Sequence, residues 1–134
     1  MAILMVEDNP ADAYLTTFAL RQQGLGQEIT VLDDGETAIS YLKGRSPYEN
    51  TPRPELIILD LNLKRVDGME VLRWIRANPR MADLPVIVWS SSPADAQGEA
   101  ASQATQYLEK PGDLDAYMSI GRAVAEHLGK SAAG

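Results

Sequence analysis

A chain of 134 residues fits one domain with one core. Hydrophobic residues at 45% and charged residues at 23% are ordinary for a globular protein, and a net charge of −7 without a basic stripe argues against nucleic acid or a membrane surface as partner. The absence of cysteine excludes disulfide and thiolate chemistry, and a lone histidine, His127, excludes a His-rich metal site. No apolar stretch approaches the roughly 20 residues of a membrane span. The start, Met1-Ala2-Ile3-Leu4, lacks a charged leader ahead of a long apolar region, so a cytoplasmic protein is expected.

Short apolar runs alternate with helical patterns, the signature of a parallel α/β sheet. The first strand is about Ala2–Val6. Asn9-Pro10 then reads as a helix cap with proline at the first helical position. The helix that follows sets Leu15, Phe18 and Ala19 on one face and stops near Gly24. A second strand is about Glu28–Leu32. Asp33-Asp34-Gly35 turns into a helix with Ala38, Ile39 and Leu42 inward and Gly44 at its end. Arg45–Pro54, with Pro47, Pro52 and Pro54, is a loop too proline-rich for an element.

The third strand is Leu56–Leu59, and its helix begins near Asp67-Gly68 and carries Met69, Val71, Leu72 and Ile75 to Asn78-Pro79. The fourth strand is Val86–Trp89. Its helix is the weakest element: Ser92-Pro93 suggests a cap, but Ala94–Thr105 offers only alanines as apolar residues. The fifth strand is Tyr107-Leu108 with its neighbours. In the last helix Leu114, Tyr117, Met118, Gly121, Val124, Ala125 and Leu128 follow the i, i+3, i+4, i+7 rule, and Gly129 ends it. Strands one, three and four are apolar on both faces, so they are expected to be central. One domain over 1–130 and a polar tail over 131–134 are expected, with no output domain.

Strand ends carry the chemistry. Asp60 closes Leu56–Leu59, Glu7-Asp8 closes Ile3–Val6, Ser90 closes Val86–Trp89, and Lys110-Pro111 follows Tyr107-Leu108. Each alone is an ordinary cap or surface residue. Together they lie at one carboxyl edge, where open α/β sheets place ligands. Carboxylates a few ångströms apart repel by roughly 4 kcal/mol per pair at an effective dielectric near 20. A hard divalent cation, Mg²⁺, suits such oxygen ligands. With Glu7, Asp8, Asp60, Lys110 and that ion the charges cancel, leaving a site able to receive a phosphoryl group. Asp60 would be the nucleophile. Lys110 and the metal would stabilise the equatorial oxygens, and the Ser90 hydroxyl would donate to one of them.

These motifs, Val6-Glu7-Asp8, Leu59-Asp60 with Asp67-Gly68, Val86–Ser90 and Lys110-Pro111, give a chain that resembles the receiver domain of two-component response regulators over nearly its whole length. The resemblance implies a flavodoxin-like (βα)5 fold with strand order 2-1-3-4-5. It implies that Asp60 takes its phosphoryl group from a histidine kinase. It implies Mg²⁺ held by Asp8, Asp60 and the backbone carbonyl of Asn62, with Glu7 acting through water. Ser90 and Tyr107 correspond to the family's switch pair, and Lys110-Pro111 to a cis bond. The chain is most similar to stand-alone regulators paired with bacterial phytochrome kinases, through Glu7-Asp8-Asn9-Pro10, Asp33-Asp34-Gly35-Glu36, the proline-rich loop and Asp60-Leu61-Asn62-Leu63. Several of these dimerise, which makes Tyr117, Ile120, Tyr107 and the loop around Tyr48 candidate interface residues, with core packing the alternative for Tyr117.

Departures from the family pattern are Ser90 for the commoner threonine, Lys64 for proline, Gly112 for an aromatic, and a Ser90-to-Lys110 spacing shorter than usual. The last predicts a short or poorly ordered fourth helix. Other assignments are a receiver-like interaction module without phosphorylation, a Mg²⁺ phosphohydrolase and a flavin protein. In the phosphohydrolase the general acid would fall at Asn62, which has no proton to give. In the flavin protein, Glu7-Asp8 would face a phosphate.

Overall fold

The computed structural model describes residues 2–25, 29–63, 65–91 and 98–129. Five parallel strands run β1 (Ile3–Val6), β2 (Ile29–Leu32), β3 (Leu56–Leu59), β4 (Val86–Ser90) and β5 (Gln106–Glu109), in the spatial order β2-β1-β3-β4-β5. That is the expected order. The helices are α1 (Pro10–Gln22), α2 (Gly35–Lys43), α3 (Gly68–Ala77), α4 (Glu99–Gln103), α5 (Leu114–Tyr117) and α6 (Ser119–His127).

Period-2 alternation divides the strand residues between two cores. Leu4, Val6, Ile57, Leu59, Val86 and Val88 pack with Ala38, Leu42, Val71, Leu72 and Ile75 of α2 and α3. Ile3, Met5, Leu56, Ile58, Ile87 and Trp89 pack with Ala19, Leu20, Ile120 and Val124 of α1 and α6. Every residue of β1, β3 and β4 is buried, which is why those three runs lack polar alternation, while β2 and β5 at the edges are half-exposed.

Three expectations need correction. In α1 the buried face is Thr16, Ala19 and Leu20, and Phe18 is 43% exposed beside exposed Tyr14. The periodicity of this helix is weak, because threonine replaces an aliphatic residue at an inward position. The last helix is interrupted after Tyr117: Met118 keeps a helical conformation (φ −64°, ψ −13°), so the break is one residue wide, and Leu114 faces solvent. Tyr117 and Ile120 are 5% and 0% exposed and serve as core, so neither can form an interface. The fourth helix is indeed short, five residues, whereas Ser92-Pro93 and Lys64 lie outside the described residues.

Candidate functional site

Main-chain pairing continues one residue past the strands and fixes the acids at the carboxyl edge. Glu7 N–H donates to Leu32 O at 2.9 Å, and Asp60 N–H donates to Val6 O at 3.0 Å. After Asp60 the chain must fold back at once. It does so because Gly68, the first residue of α3, lies against the Asp60 carbonyl and Leu61 Cα, where any Cβ would collide. Asp67 caps α3 by accepting from Glu70 N–H at 3.0 Å, and Gly68 N–H donates to Leu61 O at 3.0 Å. Arg65, in the same turn, takes a left-handed φ of 64°.

Lys110 reaches the acids from β5. Its N–H donates to Ser90 O at 2.7 Å, and its Nζ donates to Glu7 Oε1 at 2.6 Å, Asp12 Oδ2 at 3.0 Å and Asp60 Oδ2 at 3.3 Å. The ammonium side chain is only 7% exposed. The other oxygen of Asp60, Oδ1, accepts from Asn62 N–H at 3.0 Å, and Asn62 is an exposed residue. Asp8 is half-exposed, and the carboxylate oxygens of Glu7, Asp8 and Asp60 come within 4.8 Å of one another. Ser90 is fully buried at the end of β4. Tyr107 pairs in register with Val88 and packs, half-buried, against the α2–α3 core.

The electrostatics follow from one cation among too many anions. Burial raises the Glu7 carboxyl to about 7, Asp60 pushes in the same direction, and Lys110 offsets only part of this. Burial alone would lower Lys110, but Glu7, Asp60 and Asp12 outweigh it and hold the ammonium above its ordinary range. The Lys110 shift, and the share of the Glu7 shift that Asp60 contributes, mark a local excess of negative charge, and an excess on close, oxygen-only ligands is the donor set of a hard divalent cation.

Asp12 is the residue the sequence concealed. It lies in the first turn of α1, where an acid is already explained by the helix dipole. Its contact with Lys110 changes the expected balance: Glu7, Asp8, Asp12 and Asp60 against Lys110 and a divalent ion leave one net negative charge. The other correction concerns Lys110-Pro111, which is trans; the cis bond among the described residues is Ser46-Pro47. The trans form is the lower-energy isomer of an X-Pro bond, and Lys110 reaches all three carboxylates from it.

The family model for the response regulator receiver domain matches residues 3–120. The chain belongs to that family. It is 44% identical over 90 residues to response regulator Rcp1 of Synechocystis sp., an alignment covering 67% of this chain and 61% of that relative, so the match spans about three-fifths of its length. Among solved structures it is similar to the phosphorylated cyanobacterial phytochrome response regulator RcpA, with 35% identity and a TM-score of 0.85 over 93% of this chain and 91% of that one. The Mn²⁺-bound form of Rcp1 gives 35% identity and a TM-score of 0.83 over the same shares, 93% and 91%. The bacteriophytochrome response regulator RtBRR gives 30% and 0.81 over 96% and 79%. The receiver fold and the likeness to phytochrome response regulators are thus as the motifs implied. No helix among the described residues is long and apolar enough to cross a membrane.

Proposed function

We propose that this receiver accepts a phosphoryl group on Asp60 from a phosphohistidine of a sensor kinase, in a Mg²⁺-dependent transfer. The P–N bond to the kinase imidazole breaks as a P–O bond forms to an Asp60 carboxylate oxygen. The observation that carries this is the bridge of Lys110 Nζ to Glu7, Asp12 and Asp60 inside a buried acidic pocket. A cation held 3.3 Å from the acceptor carboxylate is placed to bind an equatorial phosphoryl oxygen once the group arrives. The Asn62 N–H orients the other Asp60 oxygen, and buried Ser90 supplies a hydroxyl at the neighbouring strand end. Asp8, Asp60 and the Asn62 carbonyl would hold Mg²⁺, with Glu7 acting through water. The ion supplies charge neutralisation for the incoming phosphoryl group.

The receiver then works as a phosphoacceptor that assists its own phosphorylation and dephosphorylation. Residues 1–130 act as one receiver unit, and the protein works in the cytoplasm. Its proposed kinase is of the phytochrome type, in keeping with its likeness to the phytochrome response regulator RcpA and the bacteriophytochrome response regulator RtBRR. Output by dimerisation would use Tyr107 and the loop around Tyr48, since Tyr117 and Ile120 are core; Ser90 and Tyr107 would form the switch pair. Incubation with acetyl phosphate and Mg²⁺, read by intact mass and light scattering beside Asp60→Asn, tests this. One adduct in the wild type and none in the variant is expected, with the variant still folded. A folded wild type without an adduct, from acetyl phosphate and from a cognate kinase, would favour the interaction-module alternative.

A further inference from the structure

Thr16, Trp89 and Tyr117 bring three polar groups together in the otherwise apolar core between α1, β4 and α5. Trp89 Nε1 donates to Thr16 Oγ1 at 3.2 Å and to Tyr117 Oη at 3.3 Å. The two hydroxyls are 3.1 Å apart, and Tyr117 Oη donates to the Asp12 carbonyl at 3.3 Å. The Trp89 and Tyr117 rings meet edge to face, with centroids 5.0 Å apart. Indole nitrogen only donates and a carbonyl only accepts. The hydroxyls between them are therefore polarised one way, from Trp89 through Thr16 and Tyr117 to Asp12.

One end of this chain reaches the acidic pocket through Asp12, and the other starts from the residue next to Ser90. Trp89 immediately precedes Ser90, and Asp12 accepts from Lys110 Nζ at 3.0 Å. Phenylalanine or valine would fill the same space, and either hydroxyl alone still leaves buried Trp89 Nε1 an acceptor. We infer that Tyr117 is a positioning residue whose buried hydroxyl fixes the first turn of α1, and so holds Asp12 and Lys110 in place for phosphoryl transfer. This rests on the phosphoacceptor role of Asp60 proposed above.

The test is the rate of labelling by acetyl phosphate with Mg²⁺ in the full chain, for wild type, Tyr117→Phe, Thr16→Val and Thr16→Ser. The two hydroxyl deletions are expected to slow the saturating rate about fivefold, the size of one neutral hydrogen bond, with the half-saturating phosphodonor concentration unchanged. Thr16→Ser keeps the hydroxyl and is expected to label at the wild-type rate. In a Trp74→Phe background Trp89 is the remaining tryptophan, and its emission is expected to change on phosphorylation unless the Tyr117 hydroxyl is removed. A lower melting temperature with unaltered labelling would make the cluster purely structural and overturn the inference. Should Tyr117→Phe not fold, the Thr16 pair decides alone, and equal rates for valine and serine would overturn it. A wild type that takes no label would overturn the acceptor role itself, and this inference with it.

Discussion

The two helical layers on this sheet are built from different chemistry. On one side α1 and α6 meet through Ala19, Leu20, Ile120 and Val124, and Gly121 lets the α6 backbone touch the Ala19 carbonyl. On the other side α3 packs firmly on the sheet, but α4 contributes only Ala100 to the core. Arginines tie α4 down instead. Arg76 donates to the carbonyls of Gln103, Ala82 and Leu84 at 2.7, 3.0 and 2.7 Å and to Thr105 Oγ1 at 3.2 Å, and Arg73 forms a fork with Glu99. Apolar burial holds a helix at any salt concentration; an exposed ion pair does not. The α1–α6 layer is thus the frame that fixes Asp12 and the acidic pocket. The α4 corner, next to Leu61-Asn62-Leu63, is held by far less apolar burial.

Gly121→Ala would break the frame and has the largest expected effect. A Cβ there collides with the Ala19 carbonyl and lies 3.1 Å from Gln23 Cγ, so the helices must separate. A loss of about 2–3 kcal/mol is expected from urea denaturation. Arg76→Met attacks the other layer. Its half-buried guanidinium, carried on α3, serves four oxygens: two in the loop before β4, one on α4 and one just ahead of β5. A loss of about 2 kcal/mol is expected, with faster amide exchange confined to α4 and the start of β5.

How much of this was legible in the sequence follows the same division. The central places of β1, β3 and β4 and the acidic edge could be read because those strands are uninterrupted apolar runs that end in Glu7, Asp60 and Ser90, while the full strand order followed from the resemblance to receiver domains. Three features could not. Asp12 went unnoticed, because its contact with Lys110 spans 98 positions of the chain and has no local signal. Thr16 took an inward place that periodicity awards to aliphatic residues, and Phe18 lost one, because the hydroxyl is satisfied by Trp89 and Tyr117. The α4 anchors were invisible for a third reason: Arg73 and Arg76 sit on α3, 26 and 27 residues before their partners Glu99 and Gln103.

The acidic pocket gives a prediction of intermediate size. Glu7 is raised to about 7 in the folded chain from 4.5, so the folded state holds a proton that the unfolded state releases. Stability of the metal-free protein is therefore expected to fall as pH rises from about 4.5 to about 7. Melting temperatures in chelator should show that slope, and Glu7→Gln should flatten it. Millimolar Mg²⁺ should raise the melting temperature most at the upper end of the window, where the carboxylates are ionised without a proton to compete. A melting temperature indifferent to Mg²⁺ at pH 8 would count against a metal in this pocket.

Arg73→Gln is expected to have the smallest effect and to separate the layers most cleanly. The fork joins Arg73 Nε to Glu99 Oε2 at 2.8 Å and Nη2 to Oε1 at 2.6 Å, and Gln103 Nε2 donates to the same Oε2 at 2.7 Å. The Arg73 side chain is 53% exposed, so water and salt compete for it, and global stability should not change measurably. Local order should change. With Ala100 its only buried residue, α4 has little besides this fork and Arg76 to hold it, so its amides should exchange faster in Arg73→Gln at low salt. In the wild type, molar salt shortens the Debye length to roughly 3 Å and should produce the same acceleration. In the variant, salt should add nothing further in α4, and the α1–α6 amides should be indifferent to both changes. If α1 and α6 responded as strongly as α4, the two layers would not be mechanically distinct. Any rearrangement following the proposed phosphorylation would then have to involve the frame that carries Asp12.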